Sequence, residues 1–184
     1  MARTSLPDLS LTEWAVLAVT AEHPTHGFAI AKTLTVDADL GRIWTVPRPL
    51  VYRALATLEQ RNLVEPIGPE AGDRGPTRIR VQATRAGKTA VGRWLETPVS
   101  HVRDLRTQLL LQLKLLHRRG RDPRPLAAAQ LAQLTPIVAA LRLQADSATG
   151  FDRLLASWRY ESAQAAVRVL QGVLDDRPAL TESG

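Results

Sequence analysis

The sequence predicts a mainly α-helical protein with one small β-hairpin, followed by a second domain made of helices alone. Three observations lead to this fold class. Short segments with helix-start signals and helical apolar spacing occupy the chain as far as residue 61. Residues 63–83 then alternate apolar and polar side chains around a loop rich in glycine and proline, which is typical of a hairpin. Beyond residue 98, apolar residues recur at helical spacing, and 184 residues suffice for two small domains.

The first predicted helix covers about residues 11–21. Ser10 and Glu13 form the Ser-x-x-Glu pattern of a capping box, in which each side chain accepts a hydrogen bond from the backbone of the other residue. A second, short helix is expected to begin near Phe28. Pro24 and Gly27 interrupt the chain before it, and the acidic, glycine-containing segment 37–41 follows it.

The third helix is expected to start near Pro47, because the amide proton that proline lacks has no helical partner in a first turn. Its core-facing stripe, at i, i+4, i+7 spacing, consists of Val51, Leu55 and Leu58. Arg48, Tyr52 and Arg53 therefore share the opposite, exposed face of the helix.

The basic residues of the first domain are concentrated on the third helix and the hairpin. Residues 42–94 hold ten basic and four acidic side chains, whereas residues 1–41 hold two basic and five acidic ones. With an overall net charge of +6, this excess favours an anionic partner. An exposed basic helix followed by a basic hairpin suits a helix in the major groove of DNA and a wing on the neighbouring phosphates. The alternatives are arginines that only solvate a helix face and a hairpin that is only a solvated surface.

Four motifs resemble the winged helix-turn-helix of PadR-type transcriptional regulators. They are Trp44-x-x-x-Arg-Pro-Leu-Val-Tyr-Arg-Ala-Leu-x-x-Leu-Glu, Asn-Leu-Val-Glu at 62–65, Gly-Asp-Arg-Gly-Pro at 72–76 and Ala-Thr-x-x-Gly-Lys at 83–88. The resemblance spans about residues 9–96. Two positions depart from the pattern: Asn62 replaces the usual glycine, and Ile79-Arg80-Val81 replaces the usual aromatic of the last wing strand. Asn62 can adopt the left-handed conformation of a helix cap, as glycine does. The long helical tail resembles the subgroup with an extended C-terminal dimerisation domain. We therefore expect a DNA-binding domain over residues 9–97 and a helical dimerisation domain over residues 98–178.

The resemblance implies a homodimeric repressor that binds an inverted-repeat operator in double-stranded DNA and is released by a small-molecule inducer of unknown type. The residues expected to contact DNA are Thr45, Arg48, Pro49, Tyr52, Arg53, Arg74, Thr77 and Arg78. Arg48 and Arg53 are expected on guanine edges or phosphates, and the wing residues on the DNA backbone. Tyr52, by resemblance, contacts phosphate; the alternative is an aromatic that seals the helix against the wing.

The C-terminal segments carry more apolar surface than one helix can bury in its own domain. Leucines crowd a predicted helix over residues 102–116, and two long helices follow, the first interrupted by Pro136. The first long helix has a seam of Leu131, Leu134, Val138, Leu141 and Ala145, and the second repeats that spacing from Leu154 or Leu155 through Trp158 to Val173. The residues expected at the dimer interface are Leu105, Leu109, Leu113, Leu116, Leu154, Trp158 and Val169. An intramolecular bundle is the alternative.

The remaining features bound the other classes of function. Ligand contact is expected, if anywhere, at Trp94 and Trp158, although aromatic residues at helical spacing are more often core. His23 and His26, with Glu22, leave a metal-responsive regulator open, but no third donor has ligand spacing, so no metal or cofactor is expected. The chain has no cysteine and no glycine-rich phosphate loop, which argues against an enzyme. A helical adaptor that uses the winged domain to hold a protein partner stays open.

Composition also bears on location. No run approaches the roughly eighteen consecutive apolar residues typical of a membrane span. The first ten residues hold no apolar stretch of the kind found in secretion signals. We expect a cytoplasmic protein with no membrane partner.

Overall fold

The computed structural model describes residues 5–72 and 75–175, without the side chains of residues 70–72 and 75–77. Its helices are α1 (Leu11–Glu22), α2 (Gly27–Thr33), α3 (Arg48–Gln60), α4 (Arg85–Trp94), α5 (Leu110–Arg118), α6 (Arg124–Ser147) and α7 (Gly150–Asp175). Its strands are β1 (Thr25–His26), β2 (Val64–Gly72) and β3 (Gly75–Ala83). The chain divides into two compact units, one ending at Leu95 and the other beginning at Glu96. The predicted fold class is confirmed.

Helix α1 forms the centre of the first unit. The predicted capping box is present: the Ser10 Oγ accepts from the Glu13 N–H at 3.3 Å, and the Glu13 carboxylate accepts from the Ser10 N–H at 2.7 Å. The Trp14 ring stacks on Trp94 of α4, with centroids 5.0 Å apart and planes 2° from parallel. Both rings are buried, so this stack joins the first and last helices of the unit through its core.

The end of α3 has the geometry that the sequence predicts for Asn62. Asn62 is left-handed, with a φ of 54°. Its N–H donates to the Glu59 carbonyl at 2.9 Å, and the Leu63 N–H donates to the Leu58 carbonyl at 2.9 Å. This is a Schellman cap, in which the last carbonyls of the helix find partners and the chain turns directly into β2. At the other end, Pro47 precedes the first helical residue.

The three strands form one antiparallel sheet in the order β1-β3-β2. The predicted hairpin of β2 and β3 is confirmed, with Val64 opposite Ala83 and Glu70 opposite Arg78. The two-residue strand β1 pairs with β3 and places His26 opposite Arg80. The sequence predicts a turn at this position. This pairing holds the start of α2 against the wing.

The second unit begins less regularly than predicted. The sequence predicts one helix over residues 102–116, but the chain forms a 3-10 turn at Val102–Asp104 and a π-helical turn at Leu105–Leu109 before α5 starts. Leucine spacing does not distinguish these possibilities, because α and π turns both bring residues four apart onto one side of the helix.

Helices α6 and α7 fold back on each other through Ala148 and Thr149 and make the most extensive contact of the second unit. Pro136 lies inside α6 and does not end it. The predicted seam of α6 is confirmed, since Leu134, Leu141 and Ala145 are buried. The face of α7 that packs on α6 is a different one from the predicted stripe, and it consists of Ala156, Ala163 and Leu170. Small side chains allow close packing of the helices, so the larger side chains of α7 are left on its other face.

By length and composition, α6 is the one helix in the described part of the chain that could cross a membrane. A core helix of a soluble protein meets the same criterion.

The N-terminus of α6 is polar: the Arg124 guanidinium donates to Asp122 at 2.8–3.0 Å, and these hydrogen bonds lower the pKa of the Asp122 carboxyl.

A fully buried glutamine fixes the first residues of the second unit. The Gln130 Oε1 accepts from the Val99 N–H at 2.8 Å, and its Nε2 donates to the Val99 carbonyl at 3.0 Å. Gln112 Nε2 similarly donates to the Thr97 carbonyl at 3.0 Å. Two side chains from α5 and α6 therefore replace the pairing that a neighbouring strand would give to residues 97–99.

Replacing Gln130 with leucine is expected to lower the free energy of unfolding by about 2–4 kcal/mol, because both backbone groups of Val99 would stay buried without their partner. The exposed Gln133 on the same helix provides the control, since Gln133→Leu should change stability by less than about 0.5 kcal/mol. Urea unfolding of both variants measures the difference. Equal midpoints would mean that the hydrogen bonds to Val99 do not stabilise this unit.

Candidate nucleic-acid interface

The two faces of α3 separate as predicted. Val51 and Leu58 are fully buried against the core of the first unit, together with Ala54, and Leu55 is partly buried. The opposite face exposes Arg48, Tyr52 and Arg53, and Pro49 lies in the exposed first turn. Thr45 is exposed just before the helix, and its hydroxyl donates to the Gly41 carbonyl at 2.8 Å. The polar surface of α3 is therefore accessible, and the apolar stripe anchors it.

An aromatic and arginine cluster connects α3 to α2 and to the wing. The guanidinium carbon of Arg48 lies 5.2 Å from the centroid of the Phe28 ring and 5.6 Å from that of Tyr52. The guanidinium carbon of Arg78, on β3, lies 4.6 Å from the same Phe28 centroid. Cation–π contacts of this length hold arginine side chains in place without neutralising their charge. Phe28 thus holds one arginine of α3 and one of β3 on the same surface.

Tyr52 packs on a glycine. A Cβ added at Gly27 would lie 2.7 Å from the Tyr52 Cε1, so the ring occupies the space that any larger residue at this position would take. The ring remains nearly half exposed, at 44%. Both roles considered for Tyr52 from the sequence are therefore compatible with its position, because one edge seals the helix and the rest faces solvent.

His26 lies between α2 and the wing. Its Nδ1 accepts a hydrogen bond from the Ala29 N–H at 3.0 Å, which caps α2. Its Nε2 lies 3.4 Å from the Nη1 of Arg78. From the sequence, His26 is expected only as a possible metal donor. Among the described residues, no group of three or more histidine or carboxylate side chains could hold a metal ion.

These side chains line an open cleft of about 690 Å³ between α2, α3 and β3. Its walls include His26, Phe28, Arg48, Tyr52, Glu59, Arg78 and Ile79. Arg78 is thus the predicted wing residue that the fold brings next to α3. Arg74 lies outside the described residues, as does the side chain of Thr77. Two parts of this site are not evident from the sequence: the Phe28 ring beside two arginines, and the position of His26 next to Arg78. The only signal for them was the tripeptide His-Gly-Phe at the start of α2, which reads as turn and helix start.

The predicted ligand and dimer residues lie in different environments. Trp94 is buried in the stack with Trp14. Trp158 is 72% exposed and borders a groove of about 580 Å³ with His101, Arg103 and Arg106. Leu105, Leu109 and Leu116 are buried within their own unit, and Leu113 is partly buried. Leu154, Trp158 and Val169 of α7 are exposed.

The packing of Tyr52 on Gly27 gives a testable prediction. The variant Gly27→Ala should lower the affinity for DNA about fivefold. Its methyl group displaces the Tyr52 ring, so the Tyr52 hydroxyl loses one hydrogen bond to a DNA phosphate. Gly92→Ala is the matched control, since its added Cβ would meet no atom within 4 Å. Fluorescence anisotropy with a labelled duplex compares the two. Equal affinities would remove Tyr52 from the DNA contact.

The chain is similar to one known family. The model of the transcriptional regulator PadR-like family matches residues 16–93, which include α3 and the whole sheet. No curated protein matches the chain.

The chain is also similar to several solved structures, among them PadR-type regulators. PadR from Bacillus subtilis in complex with operator DNA is 15% identical and covers 90% of this chain and 98% of its own, with a TM-score of 0.47. The same protein in complex with p-coumaric acid is 14% identical over 99% of this chain and 100% of its own, with a TM-score of 0.40. The PadR-like regulator BC1756 from Bacillus cereus is 16% identical over 89% and 96%, with a TM-score of 0.39. At these values, neither the operator nor the ligand of a neighbour transfers to this chain.

Proposed function

We propose that the chain, whose residues 16–93 match the model of the transcriptional regulator PadR-like family, is a homodimeric repressor that binds an inverted-repeat operator and is released by a small molecule. The exposed face of α3 carries this proposal. It presents Arg48, Tyr52 and Arg53 to solvent beside the wing residue Arg78. In the complex, α3 lies in the major groove and the wing contacts the adjacent phosphates.

The chemistry of each side chain determines whether it contacts the bases or the phosphates. Arg48 and Arg53 carry the guanidinium groups that donate bidentate hydrogen bonds to guanine edges or bind phosphates. Phe28 and Tyr52 hold the guanidinium of Arg48 beneath two rings, so it needs less ordering on binding than a free arginine side chain. Arg53 has exposed surroundings and keeps more freedom. Affinity that is independent of sequence comes from Tyr52 of α3 and from the wing residues, which include Arg78.

The proposed dimer rests on the exposed face of α7. Its alanine face packs on α6, which leaves an apolar stripe of Phe151, Leu154, Leu155, Trp158 and Val169 in solvent. Soluble monomers seldom expose so many large apolar side chains on one helix face. A second copy of the chain covers this stripe, and a two-fold dimer then places two α3 helices on the half-sites of an inverted repeat.

The groove beside Trp158 is the proposed inducer site. It combines an aromatic wall with Arg103, Arg106 and His101, and it borders the apolar stripe of α7. A molecule bound there contacts the helix that joins the two copies, so it can favour a dimer geometry that does not fit the operator. As a DNA-binding regulator of transcription, the protein acts in the cytoplasm.

Selection from a pool of random-sequence duplexes tests the proposal. Purified protein retains bound duplexes over several rounds at fixed salt, and the retained pool is sequenced. An enriched inverted repeat, with centres about one helical turn apart, is the expected result. Binding that falls with salt but enriches no sequence would contradict the regulator proposal. It would indicate a general electrostatic surface, and an adaptor role for the α7 stripe would then account better for the fold.

A further inference from the structure

Two hydrogen-bond donors face each other at the base of the wing. His26 uses Nδ1 to accept from the Ala29 N–H, so that atom carries no proton and the proton of the neutral ring is on Nε2. The neighbour of Nε2, at 3.4 Å, is Nη1 of Arg78, which is a donor only. These two groups cannot hydrogen-bond to each other while the cap of α2 is kept.

Such a pair needs a common acceptor. Among the described residues, no carboxylate or carbonyl oxygen accepts from His26 Nε2 or from Arg78 Nη1. The two side chains are held in this position from both sides: the cap fixes the imidazole, and the Phe28 ring, 4.6 Å from the Arg78 guanidinium carbon, fixes the arginine. The structure therefore contains two donors 3.4 Å apart, one of them charged, on residues that line the same open cleft.

We propose that His26 and Arg78 together bind one phosphate of the DNA backbone. A phosphate oxygen has a negative charge and accepts more than one hydrogen bond, which satisfies both donors at once. The location agrees, because the same cleft is lined by Arg48 and Tyr52 of α3, and a duplex whose major groove holds α3 carries phosphates along this edge. This inference rests on the proposed DNA contact of α3 and adds His26, a side chain outside the set predicted from the sequence.

Two substitutions separate the cap from the phosphate contact. In His26→Asn, the side-chain oxygen replaces Nδ1 as the cap of α2, but no donor reaches the position of Nε2. In His26→Gln, the amide nitrogen reaches the position of Nε2, but the cap is lost. The first variant should keep its thermal midpoint and bind the enriched duplex about tenfold more weakly. The second should unfold at a lower temperature and bind within about threefold of the wild type.

The salt dependence distinguishes the two partners. His26 donates as a neutral group, so His26→Asn should leave the slope of log K against log salt unchanged. Arg78→Gln should reduce that slope by about 0.9 for each copy of the chain. Because both donate to one phosphate, the combined variant should lose less affinity than the product of the two single losses.

Neutral methylphosphonate linkages, placed one at a time along a half-site, identify the phosphate. When the linkage that His26 contacts is the neutral one, His26→Asn should lower the affinity no more than the neutral linkage does alone. The inference is overturned if His26→Asn binds as tightly as the wild type, since His26 would then act only as a cap. It is also overturned if His26→Gln loses as much affinity as His26→Asn, since a donor at the position of Nε2 would then not support binding. Should selection enrich no sequence, the same variants on a random duplex still test the phosphate site, because phosphate contacts do not depend on sequence.

Discussion

The variant Trp158→Glu is expected to be a folded monomer that binds the operator at least about 100-fold more weakly than the wild type. Trp158 is 72% exposed on α7, so a charged residue at this position costs the isolated chain little stability. In the proposed dimer the same charge would be buried against the apolar stripe of the other copy, and the cost of its desolvation opposes association. A monomer then binds only one half-site. It lacks the gain in affinity that a dimer has because its second α3 is held close to the second half-site.

Analytical ultracentrifugation and anisotropy with the enriched duplex measure both effects. The matched control is Leu143→Glu, which makes the same change at a side chain that is 70% exposed on α6. That variant should remain dimeric with unchanged affinity. If Trp158→Glu sediments like the wild type, the stripe of α7 is not the dimer interface.

The variant Arg48→Ala/Arg53→Ala is expected to lose at least about 100-fold in affinity for the enriched duplex, since each base-reading arginine contributes about 1–3 kcal/mol. Both residues lie on the exposed face of α3, opposite the buried stripe, so truncation leaves the core unchanged. Affinity for a random duplex should fall less, because only the phosphate contribution is lost there.

The charge-matched control is Arg142→Ala/Arg168→Ala, which removes two exposed arginines from the second unit. If this control and the α3 variant weaken binding equally, net charge and not the α3 face determines affinity. An α3 variant that keeps its preference for the enriched duplex would show that sequence is read elsewhere.

Features encoded in a few neighbouring residues were predictable from the sequence. The Ser10 and Glu13 side chains cap α1 because each accepts from the backbone N–H of the other residue, and Asn62 ends α3 with a cap that involves only the six residues 58–63. The two faces of α3 follow from spacing alone, because burial of Val51 and Leu58 fixes the rotation of the helix.

Features that depend on distant parts of the chain were not predictable. Strand β1 has two residues and exists because β3 offers them hydrogen bonds, so no local pattern marks it. The face of α7 that packs on α6 could not be chosen from spacing, since its alanines and its large apolar residues both recur at helical intervals. The Phe28 cluster joins three elements, and its arginines are 30 residues apart in the sequence.

Methylation of the enriched duplex by dimethyl sulfate tests the central claim most directly, because this reagent attacks guanine N7 in the major groove and adenine N3 in the minor groove. With α3 in the major groove, bound wild-type protein should protect guanine N7 in both half-sites, and Arg48→Ala/Arg53→Ala, at concentrations that still saturate the duplex, should restore reactivity there. Adenine N3 between the half-sites should stay reactive. A bound complex in which every guanine N7 remains reactive would contradict the account, because α3 would then lie outside the major groove.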